Sequence, residues 1–298
     1  MQKANINEDA ITVNDFNDTN INDYTNIVCF GVDSRANELD KNTRSDSIII
    51  MSIHKKTHQI KLASVYRDTY VSIQGHGYTK MTHAYAYGGP QLAMDTLNRN
   101  FDLNIKSFIT VNFSALANMI DALGGVELNI KPNELRYVNA YTRDVARING
   151  NKDFTYIKSP GIQTVSGTQA TGYCRVRYTA GGDFARAERQ RTVMTAIIAK
   201  SKKSNPIELF RAVNTILPQI YTNLGNLQTL DLAKDGLFYK LGEQQGFPFD
   251  KTTPTLHRMS VVYPRTLTSN VTKLHKFLFN TDNYTPSNTV KQIQSNMK

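Results

Sequence analysis

The chain has 298 residues, 40% of them apolar and none of them tryptophan, with a formal net charge of +10. That length allows one large α/β domain or two small ones, and the apolar content is enough for a sizeable core. Two cysteines exclude a disulfide-stapled miniprotein, no run of about 18 apolar residues offers a transmembrane helix, and the excess charge points to an anionic partner: nucleic acid, a membrane surface, or a phosphorylated or acidic polymer.

Residues 1–25 set Lys3 against Glu8, Asp9, Asp15, Asp18 and Asp23, are rich in Asn, Asp and Thr, and lack apolar periodicity. This predicts a flexible leader before a single domain over 26–298. NIVCFGV, ending at Asp33, reads as a buried strand, and SIIIMSI and QIKLASVY flank the polar turn HKKTH as an antiparallel hairpin. A turn centred near Lys56 sets Asp46 and Arg67 at the same open end. Asp33 joins them if the first strand runs parallel to 59–66, on a rim where open α/β sheets bind ligands. His54 and His58 share an i,i+4 spacing, but they belong to the turn and read as exposed.

After the GGP break, Pro90 suits the first turn of a helix to about Asn100. FITVNF alternates as a strand, Ser114 is a candidate cap for the helix SALANMIDAL, and Gly124-Gly125 leads into the strand VELNI. Residues 131–165 are polar and irregular and read as a long insertion or lid. Gly172–Tyr178 reads as a strand, followed by a helix from about Asp183 to Lys200. IELFRAVNTILPQI and LQTLDLAKDGLFYKL read as helices, HRMSVVYP as a strand and SNVTKLHKFLF as a final helix. The alternation predicts an α/β fold, a central mixed sheet with helices on both faces. Cys29 and Cys174 sit in apolar runs and read as small buried hydrophobes, paired only if their strands are neighbours.

The stretch RVRYTAGGDFARAERQR (175–191) concentrates five arginines. On a strand, Arg175 and Arg177 would share a face. In the helix, Arg186 and Gln190 are an i,i+4 pair, with Asp183 one turn before Arg186. Fixed guanidinium groups beside a helix start suit phosphate, and several together suit a pyrophosphate. Arg189 and Arg191 read instead as a solvated basic face. Asp33 and Asp46 are either salt-bridge partners of the arginines or ligands of a Mg²⁺ that shares phosphate oxygens.

GVDSR, RSDSIIIMS, SVYRDTYV, THAYAYGGP, VNFSALANMIDALGGVELNI and the R-x-R…D-x-x-R-x-x-x-Q block, in order over about residues 26–200, resemble the LytR–CpsA–Psr family. The resemblance implies a membrane-anchored phosphotransferase on the extracellular face of a Gram-positive envelope. Such an enzyme moves a glycopolymer (teichoic acid, capsule or a related polysaccharide) from a polyprenyl-pyrophosphate carrier to peptidoglycan. The chain would then be the soluble ectodomain without its N-terminal anchor, and residues 1–25 the juxtamembrane stalk. Carried over by motif, Asp33 and Asp46 would hold Mg²⁺, or Mn²⁺ in its place. Arg67, Lys80, Arg175, Arg177, Arg186 and Gln190 would bind the pyrophosphate, with Arg67, Asp46 and Asp183 in catalytic roles. The lipid would lie in an apolar pocket beneath the sheet. Asp46, Asp33 and Asp68 remain open as proton acceptors, since arginine stays protonated. His83 lies beside the rim without an assigned role, and Tyr85 and Tyr87 read as packing residues.

Three other functions fit parts of the pattern. A lipid-pyrophosphate hydrolase differs only in its acceptor. A non-catalytic polyanion binder explains the arginines but not paired carboxylates. A nucleic-acid-binding regulator fits the charge, but the chain has no zinc-ligand spacing, no helix-turn-helix and no basic patch interleaved with aromatics.

Overall fold

A computed structural model describes the chain apart from residues 1, 5, 7, 35–38, 41–42, 236–237 and 298. Arg35 of GVDSR therefore lies outside the described residues. The first four strands of the main sheet are β1 (Gln2–Lys3), β2 (Tyr24–Val32), β3 (Ser45–His54) and β4 (Gln59–Val65), which precede the small hairpin β5 (Tyr70–Ile73) and β6 (Gly77–Lys80). Then come α1 (Met81–Phe101), β7 (Ser107–Asn112), α2 (Phe113–Ala122), β8 (Val126–Ile130), α3 (Leu135–Ile148), β9 (Gly161–Val165), α4 (Gly167–Arg175), α5 (Gly182–Lys203) and α6 (Pro206–Ile216). The chain continues through β10 (Tyr221–Thr222), α7 (Asn226–Asp235), β11 (Lys240–Phe247), short strands β12 (Lys251–Thr252), β13 (Thr255–Leu256), β14 (Met259–Ser260) and β15 (Tyr263–Pro264), then α8 (Leu267–Phe279) and α9 (Asn288–Asn296).

The seven-stranded sheet has the order β1-β10-β7-β2-β3-β4-β11 and is mixed, as expected. β3 pairs antiparallel with both β2 and β4, while β2 and β7 are parallel. Strand periodicity gives the sheet two apolar faces. Val28, Phe30, Ile48 and Ile50 pack in the cluster that contains α1, α8 and α9 side chains, whereas Cys29, Ile49 and Ile53 face Met194 and Ile198 of α5. A further cluster joins α2, α3, α4 and α5 with β8 and β9.

Four local expectations are corrected. Residues 131–165 are not an irregular lid: they contain α3 and β9, which pairs with β8. The buried positions of α3 are Val138, Thr142, Val145 and Ala146, a helical stripe hidden by its polar neighbours. Residues 172–178 are not a strand. Ser166 and Gln169 form a reciprocal capping box that starts α4, which runs to Arg175 before Val176 turns extended. Two glycines let α4 sink between its neighbours: a Cβ at Gly167 would collide with Ala117 O, and one at Gly172 would lie 2.8 Å from Thr142 N. The α2 cap is Asn112, whose side chain accepts from Ala115 N, and not Ser114. Finally, the expected helix over LQTLDLAKDGLFYKL ends at Asp235, and its last two residues begin β11.

The expected flexible leader packs on the body. Its polar side chains supply the attachment that apolar periodicity does not: Thr12 N donates to Asp95 Oδ1, and Asn14 Nδ2 donates to Asp102 Oδ1. Asp18 pairs with buried His275 at 2.6 Å, and Ile11 and Ile21 are buried.

Candidate functional site

The antiparallel placement of β3 between β2 and β4 brings the end of β2, the start of β3 and the end of β4 to one rim. Asp33 follows β2, Asp46 is the second residue of β3, and Arg67 lies just beyond β4, as the hairpin geometry requires. The start of α1 fixes the Arg67 turn: Thr82 N donates to Arg67 O, and Met81 N donates to Thr69 O. From the other side, the N-terminal half of α5 brings in Asp183, Arg186 and Gln190. Arg175 arrives from the last turn of α4, and Arg177 from the link that follows. They meet because a helix end and a loop converge, not because they alternate on a strand.

These groups form one chain of alternating charge. Lys80 Nζ lies 3.1 Å from Asp68 Oδ1, and Arg67 Nε lies 3.6 Å from the same oxygen. Arg67 Nη1 donates to Asp46 Oδ1. Arg177 bridges Asp46 (3.5 Å) and Asp183 (3.8 Å), and Arg186 Nη1 lies 3.6 Å from Asp183. Burial opposes the Arg67 charge, but Asp46, Asp68 and Asp183 more than offset it and raise its pKa. For Arg186, 4% exposed, burial is the larger influence and lowers it, with Asp183 acting in the other direction. Arg186 Nε and Nη1 and Arg175 Nη1 make no hydrogen bond among the described residues. Buried donors left in that state are costly, and a ligand oxygen would relieve them.

A cavity of about 180 Å³ is lined by Asp33, Asp46, Arg175, Arg177, Arg186 and Gln190, with Phe113 and Tyr141 at its wall. Three guanidinium groups against two carboxylates leave it net positive. Arg175 lies over the rings of Phe113 (4.6 Å) and Tyr141 (5.5 Å), which hold it flat without neutralising it. Neither ring is marked in the sequence: Phe113 ends an alternating strand pattern, and Tyr141 lies in the polar stretch 131–165. A second, apolar cavity adjoins the first through Asp46, Phe113, Cys174 and Gln190 and runs between the sheet and α5 past Cys29, Ile49, Val193 and Ile197. Both cysteines are free and line it, and burial pushes both thiols up to about 12.

Several neighbouring residues have other places. Arg189 and Arg191 are not a solvated face; they are 5% and 7% exposed. Arg189 donates to Glu134 Oε1 through Nε (3.0 Å) and Nη2 (2.8 Å), and to Val176 O through Nη1. It thereby ties the link bearing Arg177 to α5. Tyr85 is fully buried, with its hydroxyl on Thr110 Oγ1 at 2.9 Å, but Tyr87 is half exposed and stacks on His76 instead of packing inside. His83 shares a 2.8 Å hydrogen bond with Thr79 Oγ1, and burial, with Arg44 and Lys80 nearby, lowers its pKa.

A mixed sheet with arginines and carboxylates at its rim, above an apolar cavity, defines a class of site for amphiphilic anions. The LytR_cpsA_psr family model matches residues 1–245, and the chain belongs to that family. It is 31% identical over 190 residues to "Polyisoprenyl-teichoic acid--peptidoglycan teichoic acid transferase TagT" of Bacillus subtilis, covering 63% of this chain and 56% of the relative. TagU of Enterococcus faecalis, named as the same kind of transferase, is 33% identical over 191 residues, 63% of this chain and 57% of its own. The chain thus spans little more than half the length of these curated relatives. The solved structure "TagT bound to LI-WTA" superposes with a TM-score of 0.70 at 25% identity, covering 94% of this chain and 98% of that one.

Proposed function

We propose that this chain transfers a glycopolymer from a polyprenyl-pyrophosphate carrier to peptidoglycan. The observation that carries this reading is the junction of the two cavities. A net-positive chamber with unpaired arginine donors opens directly onto an apolar one, matching a pyrophosphate joined to a hydrocarbon chain. The names of the relatives support teichoic acid as the polymer and peptidoglycan as the acceptor. Among the described residues no helix is long and apolar enough to cross a membrane. The domain would work at the outer face of the cell membrane, held there by an anchor.

In the reaction, an acceptor hydroxyl oxygen forms a bond to the phosphorus that bears the sugar, and the bond from that phosphorus to the polyprenyl-phosphate oxygen breaks. The hydroxyl proton passes to a rim carboxylate, Asp46 or Asp68. Charge grows on the leaving phosphate, where Arg175, Arg177 and Arg186 are already fixed and need no rearrangement. Asp183 orients Arg177 and Arg186, and Arg67 holds Asp46 in place. Gln190 offers an uncharged donor at the mouth of the apolar cavity, and Lys80 acts at a distance through Asp68.

Asp33 and Asp46 fit Mg²⁺ by donor chemistry. Both are hard oxygen ligands lining the phosphate chamber, and among the described residues no group of three or more His, Cys, Asp or Glu forms a closed metal cage. They would hold the ion against substrate phosphate oxygens and water, where it would neutralise phosphate charge. Mn²⁺ satisfies the same donors.

Titration of a polyprenyl-pyrophosphate analogue into the protein and into Arg177→Ala, with and without Mg²⁺, tests the reading. Arg177-dependent binding is expected. Equal binding, or none to either protein, overturns it.

A further inference from the structure

A third cavity, of about 150 Å³, shares Asp46, Arg186 and Gln190 with the phosphate chamber but is otherwise built from different residues, among them Tyr66, Phe184, Thr253 and Ser260. Its charge balance is reversed. Asp46, Asp68 and Asp183 outnumber Arg67 and Arg186, so an anion is disfavoured there, whereas the adjoining chamber attracts one. The lining is not that of a lipid channel either. Ser64, 2% exposed, belongs to this wall, and its hydroxyl makes no hydrogen bond among the described residues. Two aromatic rings complete it. Tyr66 and Phe184 meet edge to face at 4.6 Å, and Lys251 Nζ, 5.1 and 5.2 Å from their centroids, fixes the pair from outside. Polar and charged side chains beside an aromatic wall are the complement of a neutral polyol with an apolar ring face. A cavity of about 150 Å³ is of the size that admits a single six-membered ring.

Position supplies the second half of the argument. The cavity walled by Tyr66 and Phe184 meets the phosphate chamber past Arg186, whereas the apolar cavity enters it past Phe113 and Cys174. Phosphoryl transfer places the attacking and leaving oxygens roughly in line across the phosphorus. The incoming hydroxyl thereby has an entrance to the phosphate chamber separate from the one by which the lipid leaves. We infer that the cavity walled by Tyr66 and Phe184 is the acceptor subsite, receiving a single N-acetylated hexose of a peptidoglycan glycan strand. This rests on the transfer reading above and adds where the acceptor binds.

The test is a titration of a peptide-free peptidoglycan tetrasaccharide into the protein saturated with a polyprenyl-pyrophosphate analogue, followed by amide chemical shifts. The expected result is saturable shifts at Thr253 and Ser260. The tetrasaccharide Kd should weaken at least tenfold in Phe184→Ala and in Thr253→Trp, which plugs the mouth from an exposed position without removing a packed side chain. The analogue should bind both variants as it binds the parent. Tetrasaccharide binding that maps elsewhere, that is unchanged in both variants, or that is absent while the analogue binds overturns the subsite. So does a loss, in these variants, of affinity for a sugar-bearing donor analogue alone, which would give the cavity to the donor's first sugar. Failure of the analogue to bind the parent protein, with saccharide shifts retained at Thr253 and Ser260, would instead overturn the transfer reading and with it the acceptor role, leaving the cavity as a saccharide site.

Discussion

Asp46 holds two arginines at once: Oδ1 accepts from Arg67 Nη1, and Oδ2 stands 3.5 Å from Arg177 Nη2. Asp46 also lines both the phosphate chamber and the cavity assigned to the acceptor. A carboxylate placed to hold positive charge in register has a distinctive substitution phenotype. In Asp46→Ala, removal of a negative charge should leave pyrophosphate-analogue binding intact or strengthened in metal-free buffer, while transfer falls about 100-fold, as when one preorganised group is lost. Parallel binding and transfer assays check this; equal loss of both would contradict it.

The Arg189–Glu134 pair is predicted to be structural. Both side chains are buried, and Glu134→Gln or Arg189→Met each leaves one charge without its partner. Breaking a buried pair from one side costs about 3–5 kcal/mol, to be read from urea denaturation. The double replacement Arg189→Met with Glu134→Leu should recover much of that loss. The single variants should also lose transfer, because Arg189 anchors the link that carries Arg177.

Stability should depend on Asp18 at acid pH. Burial alone would raise its pKa, but hydrogen bonds from His275 and Thr281, with the His275 charge, outweigh burial and lower it. A carboxylate lowered on folding stabilises fully above its unfolded value of about 3.9, and that contribution is lost as pH falls through the lower folded value. Denaturation midpoints from pH 6 down to pH 2 should therefore drop more steeply in the parent protein than in Asp18→Asn. The variant should already be destabilised at pH 6.

Cys29 faces the apolar cavity, so Cys29→Trp should fill it. The expected result is at least a tenfold loss of affinity for a long-chain polyprenyl-pyrophosphate analogue and little change for inorganic pyrophosphate. With both thiols pushed up to about 12, alkylation at pH 8 should be slow, and slower still with the analogue bound. Rapid alkylation that ignores the analogue would contradict the assignment of this cavity to the lipid.

The hairpin was legible because HKKTH allows only a narrow range of registers, and register alone puts Asp46 beside Arg67. The R-x-R element was legible as chemistry but not as geometry. Its alternation suggests a strand, while the Ser166–Gln169 capping box upstream starts α4, which ends at Arg175 and leaves Arg177 in the link beyond it. Tyr141 and Glu134 are not legible as site or support residues, because the stripe through Val138 and Val145 is interrupted by the buried Thr142 and flanked by exposed arginines.

The sequence by itself determined the α/β class, the hairpin that sets Asp46 beside Arg67 at one rim, and the arginine-rich block that suits an anion. Those follow from local periodicity and turn length, which depend on near neighbours in the chain. Only the tertiary structure decided which arginines stay unpaired, where the apolar cavity meets the phosphate chamber, and that a polar leader is held fast by Asp95, Asp102 and His275. Burial and pairing are set by elements distant in sequence, and a guanidinium looks the same in sequence whether it is sealed against Glu134 or waiting for a phosphate.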